Sequence, residues 1–155
     1  MKVTGEKGLG NYLKIFLQIC FYAGIAILIL LPFGLSLLGL NLNASAVIIY
    51  PNGIVLLVMA HKFIELFDSL KNNNPFCDDN VRILKDTSKV SLIEAILWLI
   101  DLLLEVILVG ETDVVTILTL IFLCVLFIGV SIAVYTLSEL FKEAVEYKKE
   151  NELTI

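Results

Sequence analysis

From Ile15 to Leu40 the chain runs 26 residues without a charge. A helix needs about 20 apolar residues to cross the hydrocarbon core of a bilayer. The apolar segment of a signal peptide has only about 7–15 and ends at a small-residue cleavage site. The run is too long for that and carries no such site, so it reads as a retained membrane span. Three further stretches share its character, placing spans at about 12–38, 46–70, 89–110 and 114–138. Composition agrees: 59% of the 155 residues are apolar and 17% charged, with a mean hydropathy of +0.94. Soluble domains average about 45–50% and about 25%, so lipid is the natural solvent here. Pro32 and Gly34 mark a place where span one could bend. "YPNG" at 50–53 is a turn signal, but proline is tolerated near the end of a membrane helix, so span two is expected to run through it.

Charge sets the threading. If the spans alternate, all eleven Lys and Arg residues fall on one side: Lys2, Lys7, Lys14, Lys62, Lys71, Arg82, Lys85, Lys89, Lys142, Lys148 and Lys149. Positive charge marks the cytoplasmic side. The expected fold is therefore an all-α, four-span transmembrane helix bundle with cytoplasmic N- and C-termini, forming one membrane domain. Residues 71–88 form an inner loop. A net charge of −5 offers no basic surface for nucleic acid. Cys20, Cys77 and Cys124 have neither metal nor disulfide spacing, and "GEKGLG" makes no phosphate-binding turn. No metal or cofactor is expected, and no nucleophile is arranged for catalysis, so the chain reads as non-enzymatic.

The third span holds the one chemical oddity. Glu94, Asp101 and Glu105 are spaced by seven and four, within about 40° on a helix. Ionisable residues inside a membrane face the bundle interior or water and look for partners. Span two offers His61, Lys62, Glu65 and Asp68, with Lys62 at the depth of Glu94 and His61 at that of Asp101. Two readings stay open. One is a proton or cation path in which Asp101 and His61 exchange a proton and Glu105 guards the outer mouth. The preferred one is a polar seam that fixes helix packing.

Outside the membrane, "NNNPF" ends one helix, and Asp78, Asp79 and Asn80 open another whose start favours acids. Val81, Leu84 and Val90 give it an apolar face running into span three. After span four, residues 139–152 continue as an amphipathic helix. Leu140, Phe141, Ala144 and Val145 make its apolar face, extended by Tyr147, for a partner or the membrane surface.

Pro75, Phe76, Asn80, Val81 and Leu84 in the turn, with Glu150, Asn151, Glu152, Leu153, Thr154 and Ile155 at the end, carry a resemblance. The chain resembles the bacterial membrane-protein family designated domain of unknown function 2975 in its four-span layout, its "PF-x-x-x-N-V-x-x-L" turn and its "E-N-D-L-T-I"-like tail. Cys77 stands where that pattern commonly has Ser or Thr, so Asp78 is expected to take over helix capping; Glu152 replaces an Asp. The resemblance implies residence in the bacterial cytoplasmic membrane and a small helix-turn-helix regulator as partner at the cytoplasmic face. It assigns no function, and the span-three acids are not part of its pattern. The leading expectation is a membrane protein that docks such a regulator or another membrane component, with room for a homo-oligomer. The alternative is a small transporter or immunity-type protein using the carboxylate stripe.

Overall fold

The computed structural model of the chain describes residues 9–37, 44–71, 75–109 and 113–152. They form four helices: α1 (Leu9–Leu37), α2 (Ala44–Lys71), α3 (Asp78–Leu104) and α4 (Val114–Glu152). One π-helical turn, Glu105–Val109, prolongs α3. Pro32 lies inside α1 and Pro51 inside α2, so α1 continues past Pro32 and α2 runs through "YPNG" as expected. The expected loop helix and third span are one rod, α3, and the expected fourth span and C-terminal helix are another, α4. Two stretches, Gly10–Gly34 and Val114–Asn151, are long and apolar enough to cross a membrane. Their exposed surface is rich in Ile, Leu, Phe and Val, which points to association with lipid.

Neighbouring helices pack in chain order, α1 on α2, α2 on α3, and α3 on α4 most extensively. No α1–α4 contact of comparable size closes the bundle among the described residues. Close approach of α1 and α2 is set by two glycines. A Cβ on Gly53 would lie 2.5 Å from Leu28 Cδ2, and one on Gly24 would lie 2.9 Å from Leu57 Cδ2. Each helix thus sets a leucine over the other's glycine, one turn apart, the small-residue contact that membrane helices favour. The turn-like Gly53 is a packing residue inside a helix.

Hydroxyls join α3 to α4. Ser131 Oγ donates to Ser88 O at 2.9 Å, Ser91 Oγ donates to Phe127 O at 3.0 Å, and the Ser88 and Ser131 hydroxyls meet at 3.3 Å. Small side chains let the backbones come close enough for these bonds. At the end where α3 begins, Leu66, Leu84 and Val134 form a core drawn from α2, α3 and α4, with Phe63, Ile83 and Phe141 against it. Leu84 is only 1% exposed.

Candidate functional site

The turn before α3 is built on its own polar contacts. Asn80 is fully buried, and its Nδ2 donates to Pro75 O at 2.7 Å, closing the chain across five residues. Cys77 occupies the N-cap position in extended geometry and makes no side-chain capping bond. The capping role expected of Asp78 is therefore corrected. Asp78 is the first helical residue, and its carboxylate receives Lys149 of α4 at 2.9 Å. A sequence pattern shows that an acid belongs near this helix start; it does not show that a lysine 71 residues on will claim it.

Further contacts fix the rest of the end where α3 begins. Phe76 and Phe141 meet with ring centroids 5.4 Å apart. Lys85 pairs with Glu139 at 3.0 Å and lies 6.0 Å from the centre of the Tyr135 ring. The Glu139 hydrogen bond and charge raise the Lys85 ammonium above its usual range, and the Lys85 hydrogen bond holds Glu139 below the usual carboxylate range. The expected C-terminal docking face consequently splits. Val145 is buried and Phe141 packs on the core, so both hold α4 to its own chain. Ala144 is half-buried, while Leu140 and Tyr147 stay exposed. An amphipathic pattern shows that one face is covered, without showing what covers it.

The ionisable residues expected within spans two and three also separate. Lys62 donates to Glu65 Oε2 at 2.8 Å, and His61 Nε2 lies 3.5 Å from Glu65 Oε1. The His61 ring packs on Phe21 of α1, 5.9 Å between centroids. The side-chain contacts of Lys62 and His61 thus run to Glu65 on α2 and Phe21 on α1. Asp68 is met by Lys14 of α1. On α3, Glu94 is fully buried, with the Trp98 indole one turn on as its polar neighbour, while Asp101 and Glu105 are half-buried. Sequence reasoning missed the cavity of about 400 Å³ between α1 and α2, lined by Cys20, Gly24, Leu28 and Asn52 and by Trp98 of α3. Among the described residues no three His, Cys, Asp or Glu side chains converge as metal ligands.

Over residues 9–155 the chain matches a protein family of unknown function (DUF2975). The chain belongs to this family. No curated protein and no solved structure matches it. In this DUF2975 member the motif residues of the turn act together: Pro75 accepts from Asn80, Phe76 meets Phe141, and Leu84 fills the core. Val81 is half-buried beside them. Of the terminal motif, Glu150, Asn151 and Glu152 end α4, and Leu153, Thr154 and Ile155 lie outside the described residues.

Proposed function

We propose that the chain is a non-enzymatic, four-span protein of the bacterial cytoplasmic membrane with both termini inside. Its cytoplasmic face docks a small regulator of the helix-turn-helix type or another membrane component. The observation that carries this reading is the built platform at the inner end. At 1.5 Å per residue the 39 residues of α4 extend about 58 Å, against a hydrocarbon core of about 30 Å. The excess does not trail off: Lys149–Asp78, Lys85–Glu139 and Phe141–Phe76 fasten it to α3. A projecting element held in one shape has little entropy to lose on binding. The surface left for a partner is Leu140 and Tyr147, seven residues apart on one face, and Phe76 is exposed as well. One-sided Lys and Arg support the orientation.

The transporter or immunity-type alternative would use Glu94, Asp101 and Glu105. It has less support, because the groups that would extend such a path, His61 and Lys62, are engaged by Glu65 on α2. Two measurements test the preferred reading. Cysteine at Val114 is expected to react with an impermeant thiol reagent on intact cells, and cysteine at Glu143 only after permeabilisation; the reverse pattern refutes the orientation. Leu140→Asp with Tyr147→Asp is expected to release the regulator while leaving the membrane-inserted protein as stable as before. Undiminished co-purification of the regulator refutes the docking face.

A further inference from the structure

Pro51, Ile54, Val58, His61 and Glu65 follow one another at steps of three and four residues along α2. That is the spacing by which a helix presents one continuous seam to a second, nearly parallel helix. Membrane helix pairs mostly use this geometry, crossing at about 20°. Four of the five are exposed and Glu65 is partly so, with 39% of its side chain accessible. The outer half of the seam is apolar and the inner half polar. His61 precedes Lys71 by ten residues, or about 15 Å of helix, which sets it near mid-depth of a core about 30 Å thick. Its side chain is 57% accessible there. Ionisable side chains at such depth face protein or water and are paired. α1 covers one side of this imidazole through Phe21, and more than half of the side chain stays accessible among the described residues.

We propose that this row is the contact through which two copies of the chain associate in the membrane. A second copy fits because the row is complementary to itself. A twofold axis along α2 brings Glu65 beside Glu65 of the second copy, flanked by Lys62 of both chains, so that each carboxylate has a cation on either side. The Lys62 ammonium has three donors and gives one to Glu65 Oε2, leaving capacity for the second carboxylate. In paired helices a lone polar position on such a seam fixes register and the number of strands, and charged residues beside it fix partner choice. His61 and Glu65 take the first role and Lys62 the second. The inference rests on the four-span reading, which puts α2 across the bilayer.

The test uses the full chain in native membranes with Cys20, Cys77 and Cys124 replaced by Ala. Val58→Cys is expected to form a disulfide-linked dimer on mild oxidation, and Ile96→Cys on the exposed side of α3 is not. Adding Glu65→Lys to the Val58→Cys protein abolishes the cross-link, and the exchange Lys62→Glu with Glu65→Lys restores it. Native mass spectrometry of the unaltered protein gives twice the 17.3 kDa chain mass. Equal cross-linking at 58 and 96, or cross-linking indifferent to Glu65→Lys, overturns the dimer. So does a monomer carrying phospholipid that Lys62→Ala removes. Reaction of Val58→Cys with an impermeant maleimide would instead overturn the membrane-spanning placement of α2, and the dimer with it.

Discussion

Replacing Gly53 by alanine tests how closely α1 and α2 are fitted. The new methyl would stand 2.5 Å from Leu28 Cδ2, 3.1 Å from Cδ1 and 3.3 Å from Cγ. Carbon atoms rest at about 3.5–4.0 Å, so Leu28 must withdraw by roughly 1 Å or more. All three atoms belong to the movable end of one side chain, so the room Leu28 has for another rotamer sets the cost. Overpacking of this kind costs about 1–3 kcal/mol. Against it, alanine is favoured over glycine inside a helix by about 1 kcal/mol. The net expectation is a loss of about 0–2 kcal/mol. Gly24→Ala meets only one leucine methyl inside 3.4 Å, Leu57 Cδ2, and should come out near neutral. The assay is reversible unfolding of the purified protein in mixed micelles, followed by far-ultraviolet circular dichroism. A double-mutant cycle isolates the contact: once Leu28→Ala has emptied the space, Gly53→Ala should no longer destabilise, giving a coupling of about 0.5–3 kcal/mol. Additive effects in that cycle, or equal effects at Gly24 and Gly53, would refute the close fit.

The other predictions concern the inner end. Leu84→Ala should cost about 2–5 kcal/mol, as for other fully buried leucines, and should raise amide exchange in residues 139–152 because the core under α4 is emptied. The Lys85–Glu139 tie should hold only between two limits of pH. Glu139 is depressed, so its contribution is complete above the ordinary carboxylate range and is lost as pH falls through the lowered value. Lys85 is raised, so its contribution is complete below the ordinary lysine range and is lost as pH rises through the raised value. Amide exchange of residues 139–152 measured against pH should therefore show an acid limb that Glu139→Gln removes. An acid limb unchanged by that substitution would exclude this pair as its source.

Local features of the fold were readable because their causes are local. Asn-rich sequence and Pro75 end one helix, and acids start the next at Asp78, where the helix dipole favours them. Apolar length alone located the four helices, and Leu84 stood out by its spacing. What escaped was every question of which neighbour lies at a given azimuth. Periodicity places His61, Lys62 and Glu65 on a side of α2 but does not say whether α3, α1 or lipid lies there. For the same reason Phe141 and Val145 looked like a surface offered to a partner, although their own chain already occupies it. Glu94 illustrates the reverse: the stripe predicts that it points inward, and it does, but its polar neighbour is Trp98 of its own helix, not a residue of α2.

The hydroxyl bonds between Ser88, Ser91, Ser131 and Phe127 O have a mechanical consequence. They lock α3 and α4 into a double beam that has no joint between Asp78 and Leu104. In a four-span arrangement such a beam acts as a lever through the water–lipid boundary. With α3 about 40 Å long, a tilt of about 5° sweeps one end by about 3.5 Å relative to the other. A change of bilayer thickness or lateral pressure would therefore arrive at Leu140 and Tyr147 as a displacement of the whole platform, undamped by any hinge in α3 or α4. α1, which among the described residues packs chiefly on α2, would be left to follow the lipid.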